Sequence, residues 1–235
     1  WINTMDSTSN VRGAPPFIQA SVSGACNTLV TAPCCANAKI ATFTGPGSFT
    51  VTAAALCAAN NIVSHLIVAG GGSGGTGCSG GGAGAGGFRE VKSPITPYTA
   101  SPLDGYSTPA NRVTVTAQTY AIVVGGGAPG QATAPNSCNS DGTRGNNSSF
   151  GGIISTGGGA GGDGPAGPEG PGGSGGGGGH SSGTAGNGNT PPVSPAQGFN
   201  GRPSQPATGP APSDAGGAGG GATAAGTCGS SGHQG

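Results

Sequence analysis

Charge and aromatic side chains are scarce in this chain of 235 residues. Charged residues make up 6% and aromatic residues 4%, and seven Lys and Arg balance seven Asp and Glu. An ordinary globular domain carries about 25% charged residues. With no net charge and scattered cations there is no track for a phosphate backbone, so electrostatic binding of nucleic acid is excluded. Catalysis needs titratable groups gathered in a dry cavity, and this composition offers few of them. We therefore expect no enzyme: no catalytic residue, no bound cofactor and no metal site. Long apolar runs are missing too. The most apolar stretch, 53–59, is short and Ala-rich against the ~20 residues of a membrane span, so no membrane partner is expected.

Glycine and proline are abundant, at 55 and 20 residues. Inside a helix they cost roughly 1 and 3 kcal/mol relative to Ala, which excludes a helical bundle. Such a composition also borders on disorder. Against disorder stand the absence of net charge, unusual in disordered chains, and the ordered placing of the glycines.

Seven cysteines punctuate the chain: Cys26, Cys34, Cys35, Cys57, Cys78, Cys138 and Cys228. None has the C-x-x-C spacing of a zinc or redox site, and only three His are present. All seven are disulfide candidates in an oxidising compartment, with buried thiols as the plainer alternative. The odd count favours a bridge between molecules, and the adjacent Cys34 and Cys35 must look elsewhere for partners. The chain opens on Trp1 without an initiator Met or a leader, as a mature secreted chain does. Asn146 and Asn147 each begin an N-x-Ser sequon and are candidates for N-glycosylation.

Along the chain, 1–38 reads as an amino-terminal assembly arm. After Pro15-Pro16 the stretch 17–23 alternates, with Ile18, Ala20 and Val22 against Gln19, Ser21 and Ser23, the period of a half-buried strand. A core at 39–156 follows. Residues 40–51 suggest a hairpin turning at Gly45-Pro46-Gly47, and short strands are expected at 62–68, 88–91, 113–116, 120–124 and 150–154. Short strands without helix point to an all-β fold, a jelly-roll-like β-sandwich.

Glycine blocks leave from the strand ends, at 70–87, 125–130, 157–188 and 216–235. In the third, glycines recur every third residue from Gly158 to Gly179. Three residues per turn is the polyproline II period, and that helix has no internal hydrogen bonds. Buried backbone groups must be paired, and a glycine face lets neighbouring helices approach closely enough to pair them laterally. The expectation is a polyglycine II bundle over 157–235 with further glycine insertions in the core. A collagen-like triple helix and a flexible linker are the rival uses of the same spacing.

Two tempting motifs fail on context. Gly70, Gly72 and Gly75 match G-x-G-x-x-G after an apolar strand, and 71–75 match G-x-S-x-G, but both motifs must open a helix. The glycine-dominated continuation to Gly87 cannot be one.

The ordered elements FTGPGSFTV at 43–51, LIVAGGG at 66–72, AGGFRE at 85–90, YAIVVGGGA at 120–128 and GNNSSFG at 145–151, before a long glycine tract, resemble the glycine-rich domain of phage tail-fibre adhesins. That domain is similar to the ectodomain of anaplastic-lymphoma-kinase-type receptors. The resemblance covers roughly 40–235 and implies binding or assembly without catalysis. The chain departs from it in its many cysteines and in lacking a final apolar strand. A fold short of a strand and a spare strand on an arm suggest donor-strand assembly. We therefore expect an extracellular structural protein, a fibre subunit joined head-to-tail to copies of itself through Phe17, Ile18, Ala20 and Val22, with a cysteine lock. The alternative is a phage tail-fibre adhesin that binds cell-surface glycans or receptors.

Overall fold

The computed structural model describes residues 13, 15–33, 35, 37–76, 79–131, 140–164, 170–180, 183–205 and 215–227. The described chain is all-β. Its strands are β1 (Gln19–Ser23), β2 (Thr28–Thr31), β3 (Lys39–Thr42), β4 (Gly47–Ala53), β5 (Ile62–Val63), β6 (His65–Val68), β7 (Phe88–Val91), β8 (Val113–Thr114), β9 (Thr119–Val123), β10 (Ser148–Phe150) and β11 (Ile153–Ser155). Two short 3-10 turns, Ala58–Asn61 and Pro109–Asn111, are the helical content among the described residues.

Five strands form one antiparallel sheet in the order β1-β4-β9-β10-β11. Three further pairs, β2-β3, β5-β8 and β6-β7, are two-stranded. In the large sheet, alternation sends Ser21, Ser23, Thr52 and Thr119 to solvent and Val51, Ile122 and Ile153 inward. The core joins Val51 and Ile153 of that sheet to Ile67, Val113 and Val115 of the facing strands, with Ile18, Ala20, Phe49, Tyr120 and Phe150 packed around it. Phe150 collects edge-to-face contacts from Phe49, Tyr120 and His65, at centroid distances of 6.0, 5.9 and 6.1 Å. Such pairs add about 0.5–1.5 kcal/mol beyond area burial.

Two local readings are corrected. The 40–51 hairpin does not form, since β3 pairs with β2 and β4 with β1 and β9. The Gly-Pro-Gly stretch is a joint rather than a hairpin tip. The single strand expected at 150–154 is instead a hairpin, β10-β11, turned at Gly151 and Gly152 with φ of +57° and +86°. Two consecutive positive φ values suit a type I′ turn, and glycine adopts them without a Cβ penalty.

The glycine segments build a bundle held by main-chain hydrogen bonds with a period of three. Ala69, Gly72 and Gly75 donate to the carbonyls of Gly87, Gly84 and Gly81 in antiparallel order. On another side of the second segment, Gly81, Gly84 and Gly87 donate to Gly162, Gly159 and Thr156, while Gly82 and Ala85 donate to Gly217 and Gly220. One row per third of a turn, each row bonded to a different neighbour, is what a threefold extended helix presents. The interior of this half is backbone, and these main-chain donors are met as the general rule demands.

This network also moves a boundary. Segments at 69–76, 80–87, 126–128 and 140–146 are bonded into the same bundle as 156–163, 170–179, 186–205 and 215–226. A division of the chain at residue 156 therefore cuts through one structural unit. The sequence separates there only because the strands interrupt the glycine blocks.

Candidate functional site

Beyond the β1-β4 ladder the two chains continue as a ribbon, interrupted by a joint. The outgoing chain turns at 24–27, where Gly24 has φ +102° and Cys26 φ +62°. The returning chain turns at 43–46. Asn27 ties the two turns together. Its Nδ2 donates to the Ser23 carbonyl at 2.8 Å and the Gly45 carbonyl at 3.2 Å, and its Oδ1 accepts from the amides of Thr44 at 3.0 Å and Gly45 at 3.3 Å. The Thr44 hydroxyl donates to the Cys26 carbonyl at 3.3 Å. One carboxamide thus answers four backbone groups and sets the angle at which the ribbon leaves the sheet.

The ribbon is β2 and β3, paired from Thr28↔Thr42 to Thr31↔Lys39 and closed by the Ala32 amide donating to the Ala38 carbonyl at 2.8 Å. Val30 and Ile40 lie directly opposite each other and are 50% and 48% exposed. Leu29 and Ala41, on the other face, are half-buried. Among the described residues no third strand joins either edge. A two-stranded hairpin is marginal alone in water, and exposed edges with an apolar pair are a template for further pairing. Lys39 is the only charge within 28–42.

The residues assigned to the donor strand are placed differently from the expectation. Ile18, Ala20 and Val22 are half-buried, and β1 pairs with its own chain's β4 through Ala20↔Val51 and Val22↔Phe49. Phe17 remains 42% exposed. The arm closes its own sheet because the joint folds the chain back beside it. Cys26, on the joint, and Cys57, at the start of the 58–61 turn, are exposed and unbridged, each on a separate surface turn. Cys35 lies half-buried near the ribbon tip. Cys34, Cys78, Cys138 and Cys228 lie outside the described residues. Of the sequon residues, both are exposed. Asn147 Oδ1 accepts from the Gly157 amide at 2.9 Å, and Asn146 Nδ2 reaches the Gly126 carbonyl at 3.4 Å.

Three charged side chains, Arg89, Glu90 and Asp104, gather around β7, and sequence reasoning assigned them no role. The buried Glu90 carboxylate accepts from the amide of Ser101 at 3.0 Å and from its hydroxyl. Arg89 donates to Asn111 Oδ1 at 2.6 Å and to the Ile154 carbonyl at 3.3 Å. Asp104 Oδ1 accepts from the amides of Lys92 and Tyr106 at 2.9 and 3.0 Å. Burial, with the Glu90 carboxylate beside it, pushes the Tyr98 hydroxyl up to about 12. A cavity of about 10 Å³ between His65, Arg89, Glu90 and Asn111 has room for roughly one water molecule. These groups staple the 93–112 loop to the sheet, and no group of metal-ligating side chains occurs among the described residues.

His65 faces this cluster with neither ring nitrogen in a hydrogen bond. Burial holds its pKa below the usual imidazole value, the Arg89 charge adds to this, and the Val63 backbone offsets part of it. An unfolded imidazole takes up its proton near about pH 6.5, so the folded state binds fewer protons below that value. The stability is complete above it and is lost as pH falls through the lower, folded value. Thermal midpoints measured across this range should fall on the acid side, and His65→Gln should remove that part of the slope.

A family model for the glycine-rich domain matches residues 43–235. The chain belongs to that family. Neither a curated protein nor a solved structure matches it. The glycine-rich domain begins at Phe43, one residue after β3 ends, so it contains β4 to β11 and the glycine bundle. The edge strand β1 and the β2-β3 ribbon precede it in this chain.

Proposed function

We propose that this glycine-rich protein is a non-enzymatic extracellular structural subunit that assembles with copies of itself into a fibre through its amino-terminal ribbon. The observation that carries the reading is the Val30-Ile40 pair, half exposed on a two-stranded ribbon with open edges, held at a set angle by Asn27. A neighbouring subunit that covers this pair removes apolar surface from water at about 25 cal/mol per Å² and satisfies the open edges. The ribbon takes over the docking role first assigned to β1. Head-to-tail docking of this kind propagates as a filament. The exposed Cys26 offers a thiol at the foot of the ribbon for a bridge between subunits. The bundle, sparse in charge and held by main-chain bonds, suits a stiff outer body.

The test compares wild type with Ile40→Lys and with a variant in which 28–42 is replaced by a short Gly-Ser bridge, by electron microscopy and sedimentation. Filaments are expected from wild type and lost in both variants, while the unfolding midpoint of Ile40→Lys stays close to wild type. Filaments that persist in both variants, or a wild type that stays monomeric at all concentrations, overturn the reading. A monomer that adheres to bacterial surfaces would move the balance to the tail-fibre adhesin.

A further inference from the structure

Five Asn-Gly or Asp-Gly pairs lie among the described residues: Asp104-Gly105, Asp141-Gly142, Asp163-Gly164, Asn187-Gly188 and Asn200-Gly201. Such pairs are chemically labile, because the glycine nitrogen can attack the side-chain carbonyl carbon of the residue before it and close a five-membered succinimide ring. The attack needs an amide free of other bonds and a backbone able to rotate toward the side chain. In four of the five pairs the fold withholds both. The amides of Gly105, Gly142, Gly188 and Gly201 donate to Glu90 O at 2.9 Å, Gly161 O at 2.8 Å, Asn200 Oδ1 at 2.8 Å and Gly186 O at 3.0 Å. Neighbouring atoms close in on the same four glycines so tightly that an added Cβ would collide at each.

Gly164 is different. Among the described residues its amide has no hydrogen-bond partner and nothing lies within 4 Å of the place a Cβ would occupy. The residue before it is also primed. The Asp163 amide donates to Asp141 Oδ1 at 3.1 Å, which brings the two carboxyl groups together. Burial, and then the charge and hydrogen bond of Asp141, hold the proton on Asp163 to higher pH than on an ordinary carboxyl. The neutral acid is the reactive form, since it can release its hydroxyl as water, whereas a carboxylate repels a nucleophile.

We propose that Asp163 is a site of spontaneous isoaspartate formation, the one of these five pairs whose glycine amide meets no partner among the described residues. The Gly164 nitrogen bonds to Asp163 Cγ, and the Cγ hydroxyl leaves as water with the amide proton. No oxidant or co-reactant is needed. Water then opens the ring at either carbonyl, which returns aspartate or leaves the main chain running through Cβ, one carbon longer. The change falls next to the Gly162 amide bonded to Gly177 O at 3.0 Å. Lengthening the chain there loosens the end of the segment without touching the sheet.

The test ages the purified full-length protein in mildly acidic to neutral buffers and maps isoaspartate by enzymatic methyl labelling and fragmentation mass spectrometry. Position 163 should accumulate isoaspartate several-fold faster than the other four pairs change. Asp141→Ser should slow it near neutrality and much less in acid, where Asp163 is protonated regardless. In denaturant the preference should vanish. Equal ageing at Asp104 or Asp141, a pH profile unmoved by Asp141→Ser, or a preference that survives unfolding would each overturn the assignment.

Discussion

Gly159→Ala is expected to unfold much of the glycine bundle, while Gly126→Ala should leave it intact and slightly more stable. At Gly159 an added Cβ would strike the Gly170 carbonyl oxygen and sit 2.6 Å from the Gly176 nitrogen. Those atoms are backbone, held by their own lateral bonds, so they cannot swing aside as a side chain could. Gly159 also donates to Ser174 O at 2.9 Å and accepts from the Gly84 amide at 2.9 Å. Overpacking costs about 1–3 kcal/mol, and two weakened hydrogen bonds add about 1 kcal/mol each. A loss of roughly 3–5 kcal/mol is a large share of a typical stability of about 5–15 kcal/mol. Gly126 has nothing within 4 Å and no left-handed φ, so alanine there gains about 0.4–1 kcal/mol by restricting the unfolded chain. Urea unfolding of the two variants checks the pair. Equal midpoints would show that the interior is not built from backbone.

The second large effect is expected at Gln197, which is fully buried where sheet meets bundle. Its Oε1 accepts from the Thr156 amide at 2.8 Å and its Nε2 donates to the Pro191 carbonyl at 3.1 Å. Its own amide donates to Asn189 Oδ1 at 3.2 Å, and its carbonyl accepts from the Phe88 amide at 2.8 Å. One residue therefore joins the exit of β11, the start of β7 and the 189–197 loop. Gln197→Leu keeps the volume but leaves the half-buried Thr156 amide without its partner, while the carbonyl of the exposed Pro191 turns to solvent. The orphaned amide costs about 1–3 kcal/mol, so a loss of roughly 2 kcal/mol is expected, with faster amide exchange at Thr156. A neutral Gln197→Leu would show that water or backbone shifts satisfy that amide. Gln197 had no signal in the sequence, because a lone Gln in a loop says nothing of the carbonyls that converge on it.

What could be read locally was read well. Alternation at 17–23, 88–91 and 120–124 marks strands that exist at nearly those bounds, since side-chain period is a property of a few consecutive residues. The β2 strand was missed, because Thr28–Thr31 is short and lies on the exposed ribbon, where no buried face imposes a pattern. The β10-β11 turn carried a legible signal, Gly151-Gly152 between apolar residues, which was read instead as the interior of a strand.

The candidate site was half legible. The amino-terminal stretch stood out by its low glycine and high cysteine content. Asn27, which sets the ribbon, did not, because its four partners come from both sides of the joint and span positions 23–45. His65 was recognised only as a strand residue. Its surroundings come from Phe150 of the large sheet and Arg89 of the paired strand β7, which are far from it along the chain.

By itself the sequence determined that the chain is all-β and that its glycines recur with the threefold period that the described segments use in their lateral bonds. Steric limits on Gly, Pro and β-branched residues act within a few bonds and leave few alternatives. Only the tertiary structure decided which strands pair, that β1 completes its own sheet, and that glycine segments on both sides of residue 156 form one bundle. Those choices rest on which distant carbonyl each amide meets, a comparison among contacts far apart along the chain that no local pattern encodes.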